Sequence, residues 1–108
     1  MEKIESYKIK LQDKLHTKEI LSLHQIASDS NSNIYLYRNQ MIADAENLPK
    51  LLSFFLTTET DEPFTLINDG EMDDENQNNL TDFLKQKPVS VLLKDYYDAT
   101  ENEAIVIV

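Results

Sequence analysis

The stretch Leu15-His16-Thr17-Lys18-Glu19 holds the residue types best suited to chemistry in this sequence. His16 stands directly ahead of a helical pattern. Its imidazole would therefore sit at a helix N-terminus, where unpaired amides and the helix dipole favour added negative charge. A neutral imidazole there can take up a phosphoryl group, because a ring nitrogen is unprotonated near neutral pH without a dedicated base. The competing reading is a surface histidine that merely precedes a helix. His24 falls within the same helix beside Leu23 and reads as a partly buried packing residue. It lies more than two turns from His16, too far for one metal site on one helix. Asp73-Asp74-Glu75 lacks the loop glycine and the ligand spacing of a calcium site, and reads as the acidic first turn of a helix. No metal and no cofactor are expected.

Composition removes several function classes. The chain has 108 residues and no cysteine, which excludes disulfides, thiolate catalysis and cysteine-bound metals. Its hydrophobic content of 41% suits one globular domain and exceeds that of disordered chains. No apolar run approaches the ~20 residues of a membrane span. A soluble, cytoplasmic protein without membrane contact is the expectation. Residues 1–54 carry seven basic and seven acidic side chains, and residues 55–108 carry three and thirteen, so the net charge of −10 lies entirely in the second half. That surplus would repel phosphates, and no nucleic acid partner is expected. Lys8, Lys10, Lys14, Lys18 and Lys50 leave room for a local positive patch in the first half.

The elements that must position His16 are legible in the periodicity. Ser6–Gln12 alternates polar and apolar residues as a half-buried strand does. Thr17–Ser28 has helical spacing through Ile20, Leu23 and Ala27, and Asp29-Ser30-Asn31-Ser32 forms a turn cluster. Asn33–Tyr37 alternates again, Arg38-Asn39 suits a hairpin turn, and Gln40–Ala45 returns as a short strand. Asn47-Leu48-Pro49 is a helix start, with Asn as N-cap and Pro in the first turn, and Leu51, Leu52, Phe55 and Leu56 continue on one face. Thr57–Glu62 is a polar loop. Pro63–Ile67 is an apolar strand ended by Asn68-Asp69-Gly70, where the only glycine supplies positive φ. Asp73–Gln86 is a last helix with a thin apolar face of Leu80, Phe83 and Leu84. The order β-α-β-β-α-β-α predicts an α+β fold, a mostly antiparallel sheet with its helices on one face.

These residues resemble the HPr family, the small histidine phosphocarrier of the bacterial phosphotransferase system. The likeness rests on the element order and on two blocks in one register. One is Ala27-Ser28-Asp29-Ser30-Asn31-Ser32-Asn33-Ile34-Tyr35-Leu36, and the other is Thr65-Leu66-Ile67-Asn68-Asp69-Gly70. It covers about residues 5–86 and needs no gap from Tyr7 to Ser53. The resemblance implies an HPr-like open-faced β-sandwich over residues 1–86, with residues 87–108 as a C-terminal extension. The family's phosphoacceptor motif, hydrophobic-His-Ala-Arg-Pro-Ala, falls on Leu15-His16-Thr17-Lys18-Glu19-Ile20. The histidine is kept, Lys18 replaces the arginine and Glu19 replaces the proline. The regulatory serine that caps helix 2 in Gram-positive members is matched by Asn47, which can cap but cannot be phosphorylated.

The resemblance implies a phosphohistidine at His16, supplied by an enzyme I-like donor, with Lys18 as the phosphate clamp. Leu48, Pro49 and Leu52, beside Asn47, match the apolar surface that the family presents to protein partners. Glu19 works against carriage, since a carboxylate about 6 Å from the phosphate costs roughly 1–3 kcal/mol per unit of phosphate charge. The alternative is therefore an interaction module that keeps the fold and has lost phosphate transfer. In the extension, Pro88–Leu93 and Ala104–Val108 read as strands separated by the acidic stretch Lys94–Glu103. An exposed run of four β-branched residues invites aggregation, so Ile105–Val108 is expected to pair, on its own sheet in a monomer or across a homodimer.

Overall fold

The computed structural model describes residues 2–99. Eight elements run in chain order: β1 (Glu2–Leu11), α1 (Thr17–Asp29), β2 (Asn33–Arg38), β3 (Met41–Asp44), α2 (Leu48–Thr57), β4 (Phe64–Asp69), α3 (Asp74–Leu84) and β5 (Val89–Ala99). The fold is α+β, as the periodicities predict. The five strands form one antiparallel sheet in the order β3-β2-β4-β1-β5.

Strand alternation divides the sheet into two faces. Tyr7, Ile9 and Leu11 of β1, Ile34 and Leu36 of β2 and Phe64 and Leu66 of β4 enter the core. They meet Ile20, Leu23 and Ala27 of α1, Leu51, Phe54 and Phe55 of α2 and Leu80 and Phe83 of α3. Phe54, Phe55 and Phe64 stack edge to face, with centroids 5.5–5.8 Å apart. Each such pair adds stabilisation beyond its buried area. Gly70 ends β4 at φ +122, and a Cβ there would stand 3.1 Å from Ser32 Cβ. That turn takes glycine for both reasons.

The two boundaries that differ most from the sequence expectation belong to β1 and β5. β1 begins at Glu2, four residues before the alternation becomes legible. β5 does not stop at Leu93 but continues through Lys94-Asp95 to Ala99, inside the stretch read as an acidic separator. Pairing explains both, because Glu2–Leu11 and Val89–Ala99 run antiparallel along their whole length with one irregularity at Lys8/Ile9. Satisfied backbone groups and an ion pair outweigh the local charge. Lys94 Nζ lies 3.4 Å from Glu5 Oε2 and 5.4 Å above the Tyr7 ring. The apolar run Ala104–Val108 lies outside the described residues.

Several polar groups enclosed by this arrangement are paired across it. The Tyr7 hydroxyl donates to Glu5 Oε2 at 3.0 Å, and Asn68 Nδ2 donates to Glu5 Oε1 at 3.3 Å. Burial first, then the Glu5 carboxylate, holds the Tyr7 phenol well above its ordinary range, with a hydrogen bond from Gln77 opposing. Arg38, expected in a turn, is instead the last residue of β2 and points to the core side. Asn39, at φ 54, makes the turn. Arg38 Nη1 donates to Thr58 Oγ1 at 2.6 Å and Nη2 to Thr57 Oγ1 at 2.9 Å. Its guanidinium lies 5.0 Å from the Phe54 centroid and 3.5 Å from Glu62.

Arg38→Ala removes two charged hydrogen bonds and a ring contact at once. It should destabilise the protein by about 2–4 kcal/mol, read as a lower urea midpoint at unchanged slope. The Tyr7 phenol gives a pH prediction. Below about pH 10 the folded and unfolded chains both keep its proton, and its contribution is fully present. Above that, the unfolded chain releases the proton first, and stability falls by about 1.4 kcal/mol per pH unit. Thermal unfolding between about pH 9 and 11.5 should show a shallower alkaline loss in Tyr7→Phe than in the natural protein. Equal slopes would place the loss on other groups.

Candidate functional site

His16 is the N-cap residue of α1. Its backbone is extended, with φ −76 and ψ 157, and its carbonyl accepts from Glu19 N at 3.0 Å and Ile20 N at 3.2 Å. The side chain makes no capping hydrogen bond and is exposed. The other two α-helices differ. Asn47 caps α2 by accepting from Lys50 N at 3.2 Å, and Asp73 caps α3 by accepting from Asn76 N at 3.3 Å. The imidazole at α1 thus stands at a helix start without being used to close it.

The ring opens on a shallow hollow of about 470 Å³. Lys14, Asp13 and Gln12 border it from the connection between β1 and α1, Glu19 from the first turn of α1, and Gln86, Lys87 and Pro88 from the connection between α3 and β5. The two connections are joined where Gln12 N donates to Pro88 O at 2.8 Å, one step beyond the pairing of Leu11 with Val89. Two lysines and two acidic residues thus line the hollow together with His16. Glu19 Oε2 is buried and has no hydrogen-bond partner. Such an oxygen carries a desolvation cost.

Lys18 is exposed and does not border the hollow; its carbonyl accepts from Ser22 Oγ at 3.1 Å. The cations that share the space with His16 are Lys14 and Lys87. Sequence reasoning misses Lys87 because its position, after the last helix, shows no link to His16. Only the β1–β5 register brings it there. Asn47, Leu48, Pro49 and Leu52 form a separate surface. Pro49 is exposed, Leu48 and Leu52 are half-buried, and Leu56 nearby on α2 is 72% exposed. His24 is half-buried with Nδ1 2.9 Å from Ala45 O, so the ring nitrogen facing that carbonyl carries the hydrogen and ties α1 to the start of α2. Among the described residues, no cluster of three or more His, Asp or Glu side chains is arranged to hold a metal ion. No helix among them is long and apolar enough to cross a membrane.

In sequence, the chain matches no family model and none of the curated proteins.

The caps differ in their sensitivity to substitution. Asn47→Ala should cost about 1 kcal/mol of stability, whereas Asn47→Ser should keep the cap and change the thermal midpoint little. Replacing His16 by Ala removes no capping bond, so its stability should stay within about 0.5 kcal/mol of the natural protein's, read from the thermal midpoint.

Proposed function

We propose that the protein is an HPr-like phosphocarrier, or a phosphotransferase-linked regulator, that accepts a phosphoryl group on His16 from an enzyme I-like donor. The observation that carries this reading is the exposed, uncommitted imidazole of His16 at the start of α1, sharing one hollow with Lys14 and Lys87. The order β-α-β-β-α-β-α and a sheet with one buried face support an HPr-like open-faced sandwich in residues 1–86, extended by residues 87–108. In the transfer, a His16 ring nitrogen attacks phosphorus and the P–N bond to the donor's histidine breaks. The proton released from the His16 ring passes through solvent to the donor's imidazole. The first-turn amides of α1 and the two lysines stabilise the phosphoryl charge, and Lys18 is the residue that the resemblance assigns as clamp. Leu48, Pro49 and Leu52, with Asn47, are the proposed partner surface.

Glu19 supports a second reading, a non-catalytic interaction module. Glu19 borders the same hollow, one of its carboxylate oxygens is buried without a partner, and its charge opposes a phosphate there. Incubation with labelled phosphoenolpyruvate and an enzyme I separates the two. The carrier reading expects acid-labile label that is lost in His16→Ala, reduced in Lys87→Ala and raised about tenfold at equilibrium in Glu19→Gln. Label that persists in His16→Ala would remove His16 as the site. No label on either the natural protein or Glu19→Gln would leave the module reading standing.

A further inference from the structure

The sheet face turned away from the helices carries side chains that the proposed function does not use. Register places them in rows. Asp44, Tyr35, Ile67, Ser6 and Asp95 lie side by side across β3, β2, β4, β1 and β5. The next row is Ile42, Tyr37, Thr65, Lys8 and Leu93, and on the other side Asn33 and Asp69 are neighbours. Tyr35, Tyr37, Ile42 and Ile67 enclose a hollow of about 350 Å³ whose rim includes Asp69. Tyr37 is 41% exposed and Ile42 55% exposed. Cross-strand tyrosine–isoleucine contacts ordinarily sit under another layer, and among the described residues no layer covers these.

Charge decides what fits. Asp44, Asp69 and Asp95 stand on this face, and the lysines that share it are Lys8, two rows from Asp69, and Lys10 beyond it. Lys10 is 3.6 Å from Asp61 and so is already matched. A single-stranded nucleic acid could stack on the tyrosines, but its phosphates would meet those carboxylates and a chain of net charge −10. A second copy would bring another −10. We infer that the open sheet face, centred on Tyr35, Tyr37, Ile42 and Ile67, docks a basic, extended segment of a partner protein. An arginine side chain lies over a tyrosine ring with its head group toward Asp69, and aliphatic neighbours fill the hollow beside Ile42 and Ile67. The surface is small, which suits a weak and reversible contact. This inference is independent of phosphate transfer at His16.

The test is an NMR titration of the isotope-labelled full chain with a capped pentapeptide of alternating leucine and arginine. Saturable shifts should centre on the amides of Tyr35, Tyr37, Ile42, Ile67 and Asp69, and should weaken at about 0.5 M salt. The same peptide with glutamate in place of arginine should not bind. Tyr37→Ser with Ile42→Ser, at two exposed positions, should weaken binding about tenfold, and Asp69→Asn about threefold with the fold intact. Equal binding of the glutamate peptide, shifts centred elsewhere, or no shifts would overturn the inference. So would the full chain carrying Ile105→Asp and Ile107→Asp if those changes alone moved the Tyr35 and Ile67 signals, since the chain's own C-terminal run would then be the occupant.

Discussion

Strand β1 is hydrogen-bonded along both edges, to β4 on one side and β5 on the other, and the rest of the structure depends on that double pairing. A strand without a second neighbour would leave a row of amides and carbonyls open. Here the row is closed by a segment 78 to 97 positions away in sequence, from Leu11 with Val89 to Glu2 with Ala99. The consequence reaches the candidate site directly. Where β1 ends, Gln12 N is held by Pro88 O, and this joins the segment bearing Lys87 to the loop that leads into His16. The hollow around the imidazole is a by-product of strand register.

Acid is distributed in three different ways over this frame. At the start of α3, Asp73 is spent on capping, and Asp74 and Glu75 face the positive end of the α3 dipole. Glu5 is 12% exposed, and its charge is met by Lys94, the Tyr7 hydroxyl and Asn68. A carboxylate so enclosed is tolerable only when several donors satisfy it together. Asp44 and Asp69 on the open sheet face are different, because they flank exposed apolar side chains. The same residue type therefore builds helix ends, keys the last strand to the first, and gives one face of the sheet its sign.

Much of this was legible where the determinants are local. Alternation in Asn33–Tyr37 and helical spacing in Thr17–Ser28 reflect which side chains are buried, and a burial period needs no knowledge of the partner. Asn47 and Gly70 announce a cap and a positive φ through their own chemistry. The hidden features depend on distant pairing. Glu5 breaks the apolar pattern of β1 because its neutralising groups come from β4 and β5. The acid of Lys94–Glu103 reads as a loop signal until its first half is seen against β1. Arg38 looks like turn material because Thr57, Thr58 and Glu62, which hold it inward, lie about twenty residues on.

Under the proposed HPr-like reading, that dependence bears on the stretch Leu15–Ile20. In isolation, exchanging arginine for Lys18 and proline for Glu19 replaces a forked cation by a point charge and adds a repelling carboxylate. The folded site holds two lysines that the motif does not contain, Lys14 from one connection and Lys87 from the other. Each bears one positive charge against the one negative charge of Glu19 and the one of Asp13, so the hollow is formally neutral before any phosphate enters. In water-exposed surroundings such charges are screened, and distance matters more than count. Removing Lys87 by loosening β5 from β1 would tip that balance against an anion without touching His16 or any residue of its motif. The α3–β5 connection thus places a cation beside the α1 N-terminus, and under the proposed function phosphate uptake at His16 would be coupled to the pairing of β5 with β1.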